Sequence, residues 1–185
     1  TEAVQCARQK ERLRNKPGPA VHDDHVQRTF TAETLNELWL TDITEYGTDE
    51  GKIYLCGIKD VCSNKLVGYS MSDRMKKSLA VTALHQAIKA RLHQGTVVHS
   101  DRGSQFRSKA FVRVLKNNGL TGSMGCVGAC ADNAAMESFF SLLQKNVLDR
   151  KRWATRDELR QAITYWIERS YHRKRRQRRL GKLTL

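Results

Sequence analysis

The sequence predicts a mixed α/β fold in which three antiparallel strands precede alternating helices and strands, with further helices at the C-terminal end. Three short runs rich in Leu, Ile, Val and Tyr, at 38–44, 52–62 and 65–72, are joined by connections short enough for antiparallel neighbours. After them, segments with helical spacing of apolar residues alternate with short apolar runs. This order is typical of a mixed sheet with helices packed on its faces.

The later elements each have their own signals. Gly119 ends one helical segment, Asp132 is placed as the N-cap of another, and the sequence Thr155-Arg-Asp-Glu158 has the form of a capping box. In chain order, we predict a helix at 78–92, a strand at 96–99, a helix at 106–117, a possible fifth strand at 120–124, and helices at 132–148 and 155–171.

The predicted domain organisation has three parts. Residues 1–27 are polar, contain both prolines and form an N-terminal linker; residues 28–150 form the core; residues 151–185 form a basic C-terminal helical extension. A chain of 185 residues is long enough to bury a core.

Several protein classes are disfavoured by composition. There is no apolar run near the ~18 residues of a membrane span, and no signal-peptide pattern opens the chain. The five cysteines are odd in number and scattered, which does not indicate a disulfide framework. The Cys126/Cys130 pair lacks a second pair at zinc-finger spacing. We therefore expect a cytoplasmic protein without a structural zinc.

The formal net charge of +14 predicts a polyanionic partner. Residues 142–185 carry 14 Lys and Arg against 4 Asp and Glu, whereas residues 1–141 carry 19 against 15. The alternative is a solvated basic tail without a partner.

Three acids interrupt stretches that otherwise resemble core: Asp42 in WLTDIT, Asp101 in VVHSDRGSQF and Glu137 in DNAAMESFF. Burying a carboxylate is costly unless it is paired or binds a metal, and three acids from separate elements could hold a pair of Mg²⁺ ions for phosphoryl transfer. Each acid alone could instead be a turn former or a helix cap. Asp60, in IKDV, is equally compatible with either role.

Taken together, these three segments resemble the acidic signatures of insertion-sequence transposases of the DDE type, which have a retroviral-integrase-like catalytic core. The 35 residues between Asp101 and Glu137 match that family's spacing. The resemblance covers about residues 28–184. Other family features are Tyr54-Leu55, Lys59-Asp60-Val61, Val67-Gly68-Tyr69, Gly119-Leu120, Ser123-Met124 and Arg179-Leu180-Gly181.

The resemblance implies a ribonuclease H-like fold, with Asp42, Asp101 and Glu137 as catalytic residues and metal ligands. The implied cofactor is Mg²⁺ or Mn²⁺, as two ions. The implied reaction frees a 3′-OH at an element end, and this hydroxyl attacks another phosphodiester without a covalent protein–DNA intermediate. Implied partners are element ends, target DNA, further copies of the chain on DNA, and the helix-turn-helix product of an upstream reading frame. The resemblance also implies that the protein is associated with the nucleoid in the cytoplasm.

Predicted DNA contacts fall in two regions. Arg102, Gln105 and Arg107 follow the second acid, although Arg102 is equally suited to an ion pair with a carboxylate. Lys145 is a candidate phosphate ligand two turns beyond Glu137. The basic C-terminus is expected to contact phosphates without reading bases, and a tail that only aids solubility is the alternative. Its candidate residues are Arg169, Arg173, Lys174, Arg175, Arg176, Arg178 and Arg179. We expect Asn133 to cap a helix, with a DNA contact as the alternative, and Trp39 and Phe139 to lie in the core rather than to stack on bases.

The chain also departs from the family pattern. Gln144 occupies a position that is often basic, and the loop from Gly125 to Cys130 is less polar than usual. The sequence ends at Leu185, where the family commonly continues. Two alternatives to an active transposase core therefore stay open: a non-catalytic DNA-binding remnant, and a structure-selective nuclease that cuts without joining.

Overall fold

A five-stranded mixed sheet forms the centre of the computed structural model, which describes residues 18–91, 94–125 and 134–173. The strands lie in the order β3-β2-β1-β4-β5. The antiparallel pairs are β1–β2 and β2–β3, and the parallel pairs are β1–β4 and β4–β5. The strands are β1 Leu38–Thr48, β2 Gly51–Asp60, β3 Leu66–Ser72, β4 Val97–Ser100 and β5 Thr121–Met124.

The helices pack on both faces of this sheet. They are α1 Lys77–Ala90, α2 Lys109–Asn117, α3 Ala134–Asn146 and α4 Arg156–Tyr165. A 3₁₀ turn covers Leu148–Arg150, and α4 continues as a π-helical segment, Trp166–Tyr171. The predicted mixed α/β class is confirmed, including the meander of three strands. Among the described residues, no helix has the length and apolar character needed to cross a membrane.

Alternation along β1 divides the core into two layers. Leu38 and Leu40 face the layer formed with α3 and α4, whereas Trp39 faces the layer formed with α1 and α2. Trp39 and Phe139 are both fully buried, so the prediction that they are core residues is confirmed. The central strand therefore has protein on both faces at its N-terminal end.

Close approach of α1 to the sheet depends on Gly68 of β3. A Cβ atom at this position would lie 2.4 Å from the carbonyl oxygen of Ala83 and 2.7 Å from the amide nitrogen of Ala87. Any larger residue would push the helix backbone away, because main-chain atoms cannot rotate aside as a side chain can.

The C-terminal helices share one hydrophobic cluster with the sheet and α3. Phe139 of α3 packs edge-on against Tyr171, with ring centroids 5.0 Å apart, and lies 5.9 Å from the ring of Trp166. Tyr171 is 1% exposed, so its ring is part of the core. As far as Arg173, the predicted extension is packed into the body of the protein.

The observed boundaries differ from the sequence prediction where caps and pairing decide them. Strand β1 runs on to Thr48 because its pairing with β2 continues to the Thr48–Gly51 pair. Helix α2 begins at Lys109 because the hydroxyl of Ser108 accepts a hydrogen bond from the Phe111 N–H. The Thr155 hydroxyl caps α4 through the Glu158 N–H at 3.1 Å, as the capping box predicts.

The described part of the predicted N-terminal linker lies along the outer edge of β5. The Met124 N–H donates to the Asp23 carbonyl oxygen at 3.2 Å, and the His25 N–H donates to the Ser123 hydroxyl at 3.0 Å. Gly122 leaves room for His22, because a Cβ there would lie 2.5 Å from the imidazole ring. This segment therefore covers a strand that would otherwise end the sheet.

Candidate active site

The first two predicted acids lie where the parallel pairing of β1 with β4 ends: Asp42 is inside β1, just past its last pair with β4, and Asp101 directly follows β4. Leu40 of β1 is paired with His99 of β4, so Asp42 and Asp101, each two residues further on, reach the same level. The Asp42 side chain points to the Leu40 face of the sheet, because side chains alternate along a strand. Neighbouring strands lie about 4.8 Å apart, which brings the two carboxyl groups within reach of one small ion.

The charges of both aspartates contribute to the raised pKa of a buried thiol, Cys56. Burial raises the pKa of Cys56 to about 12, a hydrogen bond between Thr41 and Cys56 opposes the rise, and the charges of Asp42 and Asp101 add to it. Cys56 is therefore protonated at neutral pH.

The carboxylate of Asp101 is held against the loop that follows it. Its Oδ1 accepts a hydrogen bond from the Gly103 N–H at 2.9 Å, and a Cβ on Gly103 would lie only 2.8 Å from that oxygen. Although Asp101 keeps part of its surface exposed, the loss of surrounding water raises its pKa. The Gly103 N–H and the charge of His99 oppose this rise.

The third acid, Glu137, lies in the first turn of α3, on the same face of the sheet. The preceding residue, Met136, is buried, and its Cε is 3.2 Å from the position that a Cβ on Gly57 would occupy. Gly57 is the β2 partner of Asp42. The first turn of α3 therefore rests on the part of the sheet that carries Asp42.

These acids do not already form a closed metal-binding cluster. Across the described ranges, no three His, Cys, Asp or Glu side chains are gathered closely enough to hold a metal ion. The arrangement consists of two adjacent aspartates with the helix of a third acid packed beside them.

Asp60, which the sequence left open as a ligand, organises the turn between β2 and β3. Its Oδ1 accepts from the Asn36 N–H at 3.0 Å, and its Oδ2 accepts from the N–H and hydroxyl of Ser63. The side chain is fully buried. The signal for this role was Ser63 three residues later, a spacing typical of turns closed by an Asp side chain.

The predicted DNA contacts after Asp101 bind the loop to its surroundings. Arg102 Nε donates to the carbonyl oxygen of Gly125 at 2.8 Å, Gln105 Nε2 donates to that of Met75 at 3.1 Å, and Arg107 Nε donates to that of Arg102 at 2.9 Å. Sequence reasoning missed these loop contacts, because backbone carbonyl partners have no sequence signature.

The other predicted DNA contacts are partly described. Lys145, Arg169 and Arg173 are exposed. Lys145 lies eight residues beyond Glu137, or about 12 Å along the helix axis. Asn133, Asp132, the Cys126/Cys130 pair, Lys174, Arg175, Arg176, Arg178 and Arg179 lie outside the described residues.

Comparison with known families identifies the class of protein to which this sheet and these acids belong. A family model described as integrase core domain matches residues 32–130, and a second model with the same description matches residues 118–184. The chain belongs to the integrase core domain family.

Its curated relatives come from insertion sequences. It is 40% identical over 160 residues to the insertion element IS600 uncharacterized 31 kDa protein of Shigella sonnei, covering 86% of this chain and 59% of the relative. It is also 40% identical over 158 residues to the transposase for insertion sequence element IS629 of Shigella sonnei, covering 85% and 53%. The resemblance to insertion-sequence transposases is confirmed, and the chain spans little more than half the length of these relatives.

Among solved structures, the chain is similar to the HTLV-2 integrase catalytic core domain in complex with magnesium, in its trimeric form. The TM-score is 0.62 at 20% identity, covering 80% of this chain and 93% of the other. At this identity the similarity concerns the fold, and it confirms the ribonuclease H-like architecture.

Proposed function

We propose that this chain is the catalytic core of a DNA transposase, which cuts DNA at the ends of a mobile element and joins the freed 3′-OH to target DNA. The observation that carries this proposal is the register of β1 with β4, which brings Asp42, within β1, and Asp101, directly after β4, to the same level of the sheet. Glu137 lies on the helix packed beside them, in a chain of the integrase core domain family.

The residues present fit a divalent cation as the cofactor. Asp42, Asp101 and Glu137 offer carboxylate oxygens, the donors that Mg²⁺ and Mn²⁺ prefer. Burial disfavours the ionised form of Asp101, so a neighbouring cation would compensate its charge. When bound, a pair of such ions would stabilise both the attacking and the leaving oxygen of the phosphoryl transfer. The related HTLV-2 integrase core was solved in complex with magnesium.

The protein's own groups prepare this site before DNA arrives. The Ile43 N–H donates to Asp42 Oδ1 at 2.8 Å, and the Gly103 N–H donates to Asp101 Oδ1. These bonds orient both carboxylates. The contacts of Arg102 and Gln105 fix the loop after Asp101 relative to β5 and to the end of β3. An oriented site loses less free energy to reorganisation during the reaction.

The partners that we propose are DNA, further copies of the chain bound to it, and a helix-turn-helix product of an upstream reading frame. The formal net charge of +14 supports the first. The trimeric form of the HTLV-2 core supports the second. A protein working on chromosomal DNA would be found with the nucleoid in the cytoplasm. Arg102, Gln105, Arg107 and Lys145 border the acids in sequence and remain our candidate contacts near the site.

A strand-transfer assay tests this function. The protein is incubated with Mg²⁺ or Mn²⁺, a labelled duplex carrying a pre-cleaved end of its own element, and a plasmid target. We expect labelled DNA covalently joined to the plasmid. Cleavage without joining would indicate a nuclease, and a mobility shift without either reaction would indicate a DNA-binding remnant; both results would overturn the proposal.

The basic C-terminus should add affinity that is independent of DNA sequence. If about four of its residues contact phosphates, the slope of log K against log salt should be near −3.6 from these contacts. Their replacement by Ala should weaken binding to all duplexes alike and make the slope shallower by about three units. The four residues to be replaced together are Arg173, Arg175, Arg176 and Arg179.

A matched control removes charge from the opposite face of the sheet. Lys109, Arg113 and Lys116 of α2 are exposed there, and their replacement by Ala should leave the slope nearly unchanged. An unchanged slope in the C-terminal variant would show that the tail does not contact DNA. A loss of affinity for one sequence alone would show that the tail reads bases.

A further inference from the structure

Lys59 of β2 is a buried lysine beside the candidate active site. Its residue is 3% exposed, whereas Lys52 on the same strand has a side chain that is 57% exposed and pairs with Glu45 at 2.7 Å. Burying an ammonium group costs free energy unless other groups compensate it. An apolar side chain would pack better at this position. The burial of Lys59 therefore needs an explanation other than packing.

The ammonium group contacts the helix that carries the third acid. Lys59 Nζ donates to the carbonyl oxygen of Ala135 at 3.0 Å, although 76 residues separate them in sequence. Ala135 lies in the first turn of α3, two residues before Glu137. The contact thus joins a strand of the sheet to the turn from which Glu137 projects.

Strand register places this contact next to Asp42. Lys59 is paired with Leu40, and Asp42 is two residues further along β1 on the same face. Diagonal neighbours of this kind lie about 7–8 Å apart. Met136 packs over Gly57, the partner of Asp42, so two adjacent points of β2 hold the same helical turn.

Helix stability alone does not account for a cation at this point. The N-terminal end of a helix carries partial positive charge, which disfavours a nearby ammonium group. Carboxylates on the same face would favour it, and Asp42 and Glu137 lie on that face. The electrostatic effect of the acids therefore favours the charge of Lys59, whereas that of the helix end disfavours it.

We propose that Lys59 is a positioning residue, which fixes the first turn of α3 and thereby sets Glu137 relative to Asp42 and Asp101. This role rests on the proposed function. Lys59 acts through its bond to the Ala135 carbonyl oxygen, and it need not touch DNA or a metal ion.

The test replaces Lys59 by Met, which has similar length and no charge. Hydrogen exchange should be about tenfold faster for the amides that donate to the first-turn carbonyl oxygens of α3, those of residues 138–141, with the other described helices unchanged. A misplacement of about 1 Å is expected to slow strand transfer about a hundredfold, while the Kd for DNA stays the same. The Mn²⁺ concentration for half-saturation, followed by the relaxation of water protons, should rise.

Two further variants separate positioning from general damage. Lys59→Arg keeps a buried donor and should restore most of the amide protection and Mn²⁺ binding. Lys52→Met removes an exposed charge from the same strand and should behave as the wild type. Should Lys59→Met fail to fold, Lys59→Gln, which is neutral and polar, carries the same expectations.

The outcomes distinguish this role from the proposed function. Unchanged amide protection in α3 together with unchanged Mn²⁺ binding in the neutral variants would overturn the role of Lys59. Loss of helix protection throughout the protein would also overturn it, because the effect would then be one of stability. An inactive wild type would overturn the proposed function, while hydrogen exchange would still test the positioning of α3.

Discussion

Asp101→Asn is expected to abolish both DNA cleavage and strand transfer while leaving DNA binding largely intact. Asn keeps the shape of the side chain but removes the charge that would hold a cation beside Asp42. Rates of both steps, measured with Mg²⁺ on pre-cleaved and uncleaved ends, should fall below detection. Asp73→Asn, at an exposed acid after β3, serves as the matched control and should retain activity.

The loss should not come from unfolding. The exposed carboxyl group of Asp101 loses part of its surrounding water, which raises its pKa, so its ionised form adds no stability to the fold at neutral pH. In metal-free buffer at pH 7, the neutral Asn variant should therefore unfold at the same temperature as the wild type or higher. Residual activity within about tenfold of wild type would contradict a primary role for Asp101, because it would represent a loss of only about 1.4 kcal/mol.

Phe139→Ala is expected to lower the free energy of unfolding by about 3–5 kcal/mol, the usual cost of removing a large buried aromatic side chain. Its ring contacts Tyr171 and Trp166 at the C-terminal end and lies in the same cluster as Leu40 of β1. Urea unfolding followed by Trp fluorescence would measure this loss. Phe140→Ala, at a partly exposed neighbour, should cost less.

The same experiment tests whether the C-terminal helices fold with the sheet. Trp39 lies in the layer with α1 and α2, whereas Trp166 lies at the C-terminal end, so variants that lack Trp153 and retain only one of these two residues report on each region. We expect the same urea midpoint from both, and the same downward shift in Phe139→Ala. Separate midpoints would instead support a boundary near residue 150 between two units that unfold independently.

Much of the fold could be predicted from the sequence, because local signals mark its elements. The apolar runs with short connections identified β1, β2 and β3 as a meander, and Thr155 with Glu158 identified the start of α4. Helix α2 was placed too early because Phe106 is buried in the turn before the helix, and the cap at Ser108 was not recognised. Over so few residues, a buried side chain in a turn is easily mistaken for the first apolar residue of a helix.

The candidate site was only partly predictable. The three acids were found because their spacing resembles that of a family, and the pairing of β1 with β4 explains why Asp42 and Asp101 meet. Pattern alone did not separate Asp60 from them, because all interrupt apolar stretches and only its contacts with Asn36 and Ser63 show its role. Lys59 belongs to a motif that resembles the family's, but its contact with Ala135 spans 76 residues and has no local signal.

The segment that lies along β5 is expected to protect this protein from edge-to-edge aggregation. An uncovered edge strand offers a row of free N–H and C=O groups to any other strand, and this is a common route to aggregation. In this chain the Met124 N–H, a backbone group of β5, donates to the Asp23 carbonyl oxygen, and the His25 N–H holds the covering segment in place by donating to the Ser123 side-chain hydroxyl. A shortened chain beginning at residue 28 would keep every acid of the site but lose this seal. We therefore expect the shortened chain to aggregate more readily although its acids are intact, since the residues that cover β5 lie nearly twenty positions before the first of the three acids.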